Sequence, residues 1–152
     1  SNVDEPGRLA AIVQALAAVG ASVGVVFPVH PRTQARLGEW NLHVPDAIRL
    51  LEPQGYLDFL ALQAHARVVI TDSGGIQEET TFLGVPCLTL RANTERPITI
   101  SAGTNQLLGE DPAALVPAVA RLLAGWRWDG TRPPLWDGRA GERIAGVLAS
   151  EP

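Results

Sequence analysis

Short β-rich apolar runs alternate with stretches whose apolar residues recur at helical spacing, and this alternation constrains the chain more than any other feature. Leu9, Ile12, Val13, Leu16 and Val19 keep that spacing behind Asp4, Glu5 and Pro6, which start helices, and Gly20 stops the run. Val23-Gly24-Val25-Val26-Phe27 reads as a buried strand, followed by a short polar stretch of helical character from Pro31 to Gly38. Ile48-Arg49-Leu50-Leu51 reads as a second strand. A helix over 56–66 carries Leu57, Leu60, Ala61 and Ala64 on one face. Val68-Val69-Ile70-Thr71 is a third strand, and Gly74-Gly75 opens a helix that ends at Gly84. Pro86 introduces a fourth strand, Cys87-Leu88-Thr89-Leu90, and Ile98–Ser101 is the candidate for a fifth.

The last third reads as helical. Asp111-Pro112 is an N-cap followed by proline at the first helical position. Leu115, Val116, Val119, Leu122 and Leu123 form the apolar stripe behind it. A connection containing tryptophan and proline spans 126–136, and Asp137-Gly138 starts a final helix bearing Ile144, Val147 and Leu148. Continuous apolar strands separated by helices bury both their faces in a parallel sheet covered on each side. The expected class is therefore α/β, a Rossmann-like three-layer parallel sheet. Ligands of such sheets bind beyond the carboxyl ends of the strands. That rule points to His30, to Glu52-Pro53, to Asp72-Ser73-Gly74-Gly75 and to the loop from Arg91 to Arg96.

Composition removes several function classes. The 152 residues suit one domain. Cys87 is the only cysteine, which excludes an internal disulfide and any cysteine-rich metal site. All 12 basic residues are arginine, so neither a Schiff-base lysine nor a Walker A lysine is available. A net charge of −4 argues against a broad nucleic-acid footprint. No apolar run approaches the roughly 18 residues of a membrane span, and no signal peptide is visible. The histidines and carboxylates lack close metal-ligand spacing, and Gly-x-Ser-x-Gly is absent. There is no methionine, and the leading Ser1-Asn2 resembles the scar of tag removal; both predict a piece cut from something longer.

Thr71-Asp72-Ser73-Gly74-Gly75-Ile76-Gln77-Glu78-Glu79 is the sharpest chemical signal. It follows a strand and begins a helix. Two glycines let a ligand approach the backbone N–H groups, and the helix dipole adds about half a positive charge there. Together they predict a phosphate site, to which the Ser73 hydroxyl adds one hydrogen bond. Glu78 or Glu79, one turn on, suits ribose hydroxyls. On the competing structural reading Ser73 is only an N-cap, the glycines make a tight turn and the glutamates complement the dipole.

Other residues carry paired readings too. His30, before Pro31, suits phosphate donation or proton transfer, or else caps a backbone group in a loop. His43 and His65 have weaker cases, and His65 suits a helix C-terminus. Arg96 suits a diphosphate or a sugar carboxylate, or else an Arg–Glu surface pair. Trp126, Trp128 and Trp136 suit ring stacking on a ligand, but more readily the packing of the last helices or of a missing partner domain.

Several segments occur together in family order: Phe27-Pro28-Val29-His30-Pro31, Glu52-Pro53-Gln54-Gly55-Tyr56, Thr71–Glu79, Leu83-Gly84-Val85-Pro86, Asn93-Thr94-Glu95-Arg96-Pro97, Gly103-Thr104-Asn105, Trp136-Asp137-Gly138 and Glu142-Arg143-Ile144. Over nearly its whole length the chain resembles the C-terminal half of the non-hydrolysing UDP-N-acetylglucosamine 2-epimerases. The resemblance implies the C-terminal half of a GT-B fold, with residues 1–152 as a single nucleotide-binding domain and an N-terminal catalytic domain absent. By matching position it places Ser73, Gly74 and Gly75 on the diphosphate, Glu79 on the ribose, backbone near Phe59 at the uracil and His30 in the cleft near a sugar.

The implied reaction interconverts UDP-N-acetylglucosamine and UDP-N-acetylmannosamine by elimination and re-addition of UDP, with no cofactor or metal. The family's main acid–base residues belong to the absent portion, so this piece is expected to be inactive alone. The resemblance also implies a homodimeric, cytoplasmic parent in cell-envelope polysaccharide biosynthesis. Arg32-Thr33-Gln34 and Ile98 depart from the family pattern. Two further readings stay open: the donor-binding half of a GT-B glycosyltransferase, and a non-catalytic binding or assembly module.

Overall fold

A computed structural model of the chain describes residues 2–126 and 132–150. Seven α-helices, five strands and one 3-10 turn follow in order among them. Helix α1 (Pro6–Gly20) leads into β1 (Val25–Pro28), α2 (Pro31–Glu39) into β2 (Ile48–Leu51), α3 (Tyr56–Ala64) into β3 (Val69–Thr71), and α4 (Gly74–Leu83) into β4 (Cys87–Thr89). Then come α5 (Ile98–Ser101), β5 (Asn105–Leu107), the 3-10 turn Pro112–Ala114, α6 (Leu115–Leu123) and α7 (Ala140–Ser150).

All strand pairs are parallel, as helix-linked strands require. They form two sheets of order β1-β2 and β3-β4-β5, with Val25 beside Ile48 and Cys87 between Val69 and Asn105. The alternation of side chains along β4 makes the three layers. Leu88 and Leu90 join a core with Leu9, Ile12, Val13 and Leu16 of α1 and with Leu115, Ala118 and Val119 of α6. On the other face the Cys87 thiol meets Thr80 of α4, and burial pushes its pKa up. Strand β4, paired on both edges, is buried throughout, whereas β1 and β3 each pair along one edge only among the described residues and stay half-buried, with Val26 of β1 exposed.

The α/β expectation holds, with three differences in detail. Ile98–Ser101 is a helical turn, not a strand, and the fifth strand is Asn105–Leu107. The β-branched run there is overridden by local bonding: Thr99 turns its hydroxyl back to the Arg96 carbonyl at 2.7 Å and its N–H to the same atom at 3.0 Å. Helix α3 buries Gln63, while Leu57 is 77% exposed and Ala61 and Ala64 face outward. Helix α7 begins at Ala140, after Gly138 takes a positive φ of 80°. Its approach is stapled by Arg143 paired with Asp137, whose carboxyl is held down to about 2, chiefly by that hydrogen bond. The apolar residues Ile144, Val147 and Leu148 of α7 remain exposed.

Asp111 caps as expected, accepting from the Ala113 N–H at 2.9 Å, but it opens the 3-10 turn rather than α6 directly. Gly103, just before β5, has no room for a side chain. A Cβ there would lie 2.5 Å from both Thr81 side-chain tips and from the Thr99 carbonyl oxygen. The carbonyl belongs to the backbone, so the strain cannot be relieved by a rotamer change. Gly103→Ala is expected to lower unfolding stability by about 2 kcal/mol, measured by urea denaturation.

Candidate functional site

The carboxyl end of β3 delivers the chain into α4 through Asp72 and Ser73. Ser73 holds the N-cap position in an extended conformation, yet its side chain makes no capping bond; its own N–H donates to Thr71 Oγ1 at 3.0 Å. The structural reading of Ser73 as a side-chain cap is thus not what forms, and the hydroxyl stays exposed beside the helix end. Gly74 and Gly75 occupy the first turn with ordinary helical backbone. Their value is space: a Cβ on either would meet nothing closer than 4.0 Å. No backbone carbonyl among the described residues accepts from their N–H groups. The site therefore presents open donors at the positive end of the α4 dipole, the requirement for holding an anion without lysine.

The loop after β4 brings arginine to the same place. Arg91 makes a two-pronged bond to Glu95 at 3.0 and 2.8 Å. The Arg91 guanidinium lowers the Glu95 pKa, and Glu95 in turn raises that of Arg91. Arg96 Nε lies 3.0 Å from Glu78 Oε1. Arg96 thus forms the glutamate pair of its structural reading, and that pair anchors it beside the first turns of α4.

Beneath this loop lies a polar network. Gln77, fully buried, accepts through Oε1 from Thr94 Oγ1 at 2.6 Å and from Asn105 Nδ2 at 3.0 Å. Asn105 also donates to Thr99 Oγ1 at 3.0 Å and accepts from Thr89 Oγ1 at 2.7 Å. Helix α4, strands β4 and β5 and the Arg96 loop are therefore tied through one amide pair. Gln77, Thr94 and Asn105 lay inside the resembling motifs, but nothing in their spacing marked them as mutual partners.

A cleft of about 450 Å³ opens along α3 and α4, lined by Tyr56, Leu60, Glu78, Glu79, Phe82, Leu83 and Trp136. Glu79 accepts from Gln63 Nε2 at 2.6 Å. The α-helical rise puts Glu78 and Glu79 about 6 Å along the axis from Gly74 and Gly75. Phe59 is half-buried on α3 and its N–H donates to the Gly55 carbonyl at 2.9 Å; its neighbours Tyr56 and Leu60 line the cleft instead. Trp136 joins the cleft, Trp126 lies under the Arg121 guanidinium at 4.6 Å, and Trp128 falls outside the described residues.

His30 caps α2, its Nδ1 accepting from the Arg32 N–H at 3.2 Å. A smaller hollow at the ends of β1 and β2 is lined by Val29, Gln34, Leu37, Leu50, Leu51 and Glu52, and His30 is not part of its lining. His65 closes α3, its Nδ1 2.8 Å from the Ala61 carbonyl oxygen, as its helix-end position suggested. His43 is exposed. Among the described residues no three His, Cys, Asp or Glu side chains gather as a metal site, and no helix is long and apolar enough to cross a membrane.

A sequence profile of UDP-N-acetylglucosamine 2-epimerase matches residues 1–149. The chain belongs to the UDP-N-acetylglucosamine 2-epimerase family. A UDP-N-acetylglucosamine 2-epimerase from Methanocaldococcus jannaschii is 42% identical over 97% of this chain and 41% of its own length. The structure of the M. jannaschii epimerase in complex with UDP-GlcNAc and UDP superposes with a TM-score of 0.81 at 40% identity, covering 99% of this chain and 42% of that one. A UDP-2,3-diacetamido-2,3-dideoxy-D-glucuronate 2-epimerase from Pseudomonas aeruginosa is 36% identical over 97% of this chain and 41% of its own. The chain thus spans about two-fifths of the length of these epimerase relatives. The GT-B fold of the family agrees with the parallel α/β architecture, and the aligned region is the C-terminal part.

Proposed function

We propose that this chain is the nucleotide-gripping C-terminal part of an epimerase that interconverts UDP-N-acetylglucosamine and UDP-N-acetylmannosamine. The observation that carries this is the open first turn of α4, with Gly74 and Gly75 presenting free N–H groups next to Arg96 and one turn from Glu79. The M. jannaschii epimerase was solved with UDP-GlcNAc and UDP, the ligand class this geometry fits.

In the proposed reaction a base takes the proton from sugar C2, a double bond forms between C1 and C2, and the C1–O bond breaks so that UDP leaves with the electron pair. Re-addition of UDP at C1 and protonation at the opposite face of C2 gives the epimer. The chain's own residues serve the leaving group. Negative charge grows on the diphosphate as C1–O breaks, and preorganised N–H donors at a helix end stabilise that charge without reorganising. Ser73 adds a hydroxyl donor, Arg96 the cationic help, and Glu79 orients the ribose. The Tyr56 end of α3 takes the base near Phe59, and His30, at the N-terminus of α2, lines the sugar side of the larger cleft completed by the rest of the parent.

The groups that move the C2 proton belong to the portion of the parent outside this chain, so the chain alone binds and does not turn over. The exposed Leu57, Ile144, Val147 and Leu148 support further protein packing against these faces. A homodimeric, cytoplasmic parent completes the reading, supported by family membership alone. The family match favours epimerisation over glycosyl transfer.

Titrating the 152-residue chain with UDP while following backbone amide shifts tests the site. Shifts centred on Ser73–Glu79 and Arg96, with weak affinity, are expected. Shifts centred elsewhere, or none at millimolar UDP, overturn the assignment.

A further inference from the structure

Gln63 and Gln77 are the two side chains with a buried, unpaired polar atom among the described residues, and of the two Gln63 is the one bonded to a cleft carboxylate. It occupies the last turn of α3, is 3% exposed, and its side chain makes one hydrogen bond among the described residues, from Nε2 to Glu79 Oε2 at 2.6 Å. Its own Oε1 is buried with no partner. A buried acceptor left unpaired carries a desolvation cost, which an apolar residue of similar size would avoid. The amide therefore weakens the α3–α4 packing it sits in, and what it does supply is a short charge-assisted bond to one oxygen of a cleft carboxylate. Among the described residues Glu79 has no arginine partner; Glu78, its neighbour, has taken Arg96. Without Gln63 the Glu79 side chain has no hydrogen bond among the described residues to select one rotamer. With it, Oε2 is held toward α3, and Oε1 is left for the cleft.

We propose that Gln63 is a positioning residue for nucleotide recognition: its amide aims the Glu79 carboxylate so that the free oxygen accepts from a ribose hydroxyl. The inference rests on the reading of Glu79 as the ribose contact. Its signature is discrimination, because an aimed acceptor rewards a ligand that carries the hydroxyl and gives nothing to one that lacks it.

The test compares UDP with 2′-deoxy-UDP in equilibrium titrations of the 152-residue chain and of three variants, Gln63→Leu, Gln63→Met and Glu79→Gln. The native chain is expected to prefer UDP about tenfold, as for a hydrogen bond to a charged group. Gln63→Leu should bring the preference within about twofold by weakening UDP and leaving 2′-deoxy-UDP unchanged. Removing an unpaired buried acceptor should not harm folding, and Gln63→Met, unbranched and adaptable, carries the same test if Leu packs badly. A purely structural Gln63 would weaken both ligands alike, and that outcome overturns the inference. So does a preference that survives both Gln63 variants yet falls in Glu79→Gln, which leaves the ribose contact itself intact. A native chain that binds both ligands equally overturns the ribose reading and this inference together.

Discussion

Gly74→Asp should abolish UDP binding and leave the fold standing. The position is the first residue of α4, with open space above it. An aspartate there is favourable to the helix, since a negative charge at the N-terminal turn complements the dipole by about 0.3–1 kcal/mol. Its nearest neighbour, Glu95, already has its charge matched by Arg91. Stability should thus move by no more than about 1 kcal/mol in thermal melts. The same carboxylate would occupy the space and the field that the diphosphate needs. Like charges in contact cost several kcal/mol, so affinity should fall by about a hundredfold or more in calorimetric titration. Gly74→Ala separates space from charge: a methyl group meets nothing within the fold, so any binding it loses reports close approach by the ligand. Binding by Gly74→Asp within tenfold of native would remove the diphosphate from this loop.

Asn105→Ala should have the largest effect on stability, about 3–5 kcal/mol in urea denaturation. The side chain is 1% exposed and uses both ends of its amide, accepting from Thr89 and donating to Gln77 and Thr99. Its removal strips three buried groups of a partner at once and leaves a small void. Gln77 already leaves its Nε2 donor unpaired, so the loss adds to an existing deficit in the network. The damage reaches the site. Gln77 holds Thr94, whose Oγ1 in turn accepts from the Arg96 N–H at 3.0 Å, so loosening the amide pair frees the segment that carries Arg96. UDP affinity should therefore fall as well, by less than in Gly74→Asp. A stability loss under about 1 kcal/mol would show that water replaces the amide.

The sites most legible in the sequence were those built from consecutive residues. Ser73, Gly74 and Gly75 need only a strand before them and a helix after them to present donors, and both are readable from short-range pattern. Glu78 and Glu79 follow one turn on by helical geometry. Two residue pairs were out of reach for the same reason: Gln63 meets Glu79 across two helices, and Gln77 meets Asn105 across a helix and a strand. Local pattern also misjudged α3. Of the expected inward face only Leu60 turns to the cleft, where it is joined by Tyr56, while Leu57, Ala61 and Ala64 are exposed and Gln63 is buried. At Ile98–Ser101, β-branched residues suggested a strand, whereas the side-chain bond from Thr99 to Arg96 closes a helical turn. Trp136 illustrates a further limit, because ring stacking and domain packing leave the same mark on a sequence while the fold sets it in the cleft.

The alternation of apolar strands and helical stripes by itself determined a parallel α/β layer structure, because helix-linked strands that bury both faces have few other solutions. The glycine pair after a strand, in a chain without lysine, by itself determined that any anion held there would be held by backbone and arginine. Only the tertiary structure decided which arginine stands at that end, which glutamate pairs with it and which with an amide, and which amides lock the loop. Those choices depend on contacts between residues 16 to 28 positions apart in the chain, and a hydrogen bond of that kind exists only once packing has brought its two halves within about 3 Å.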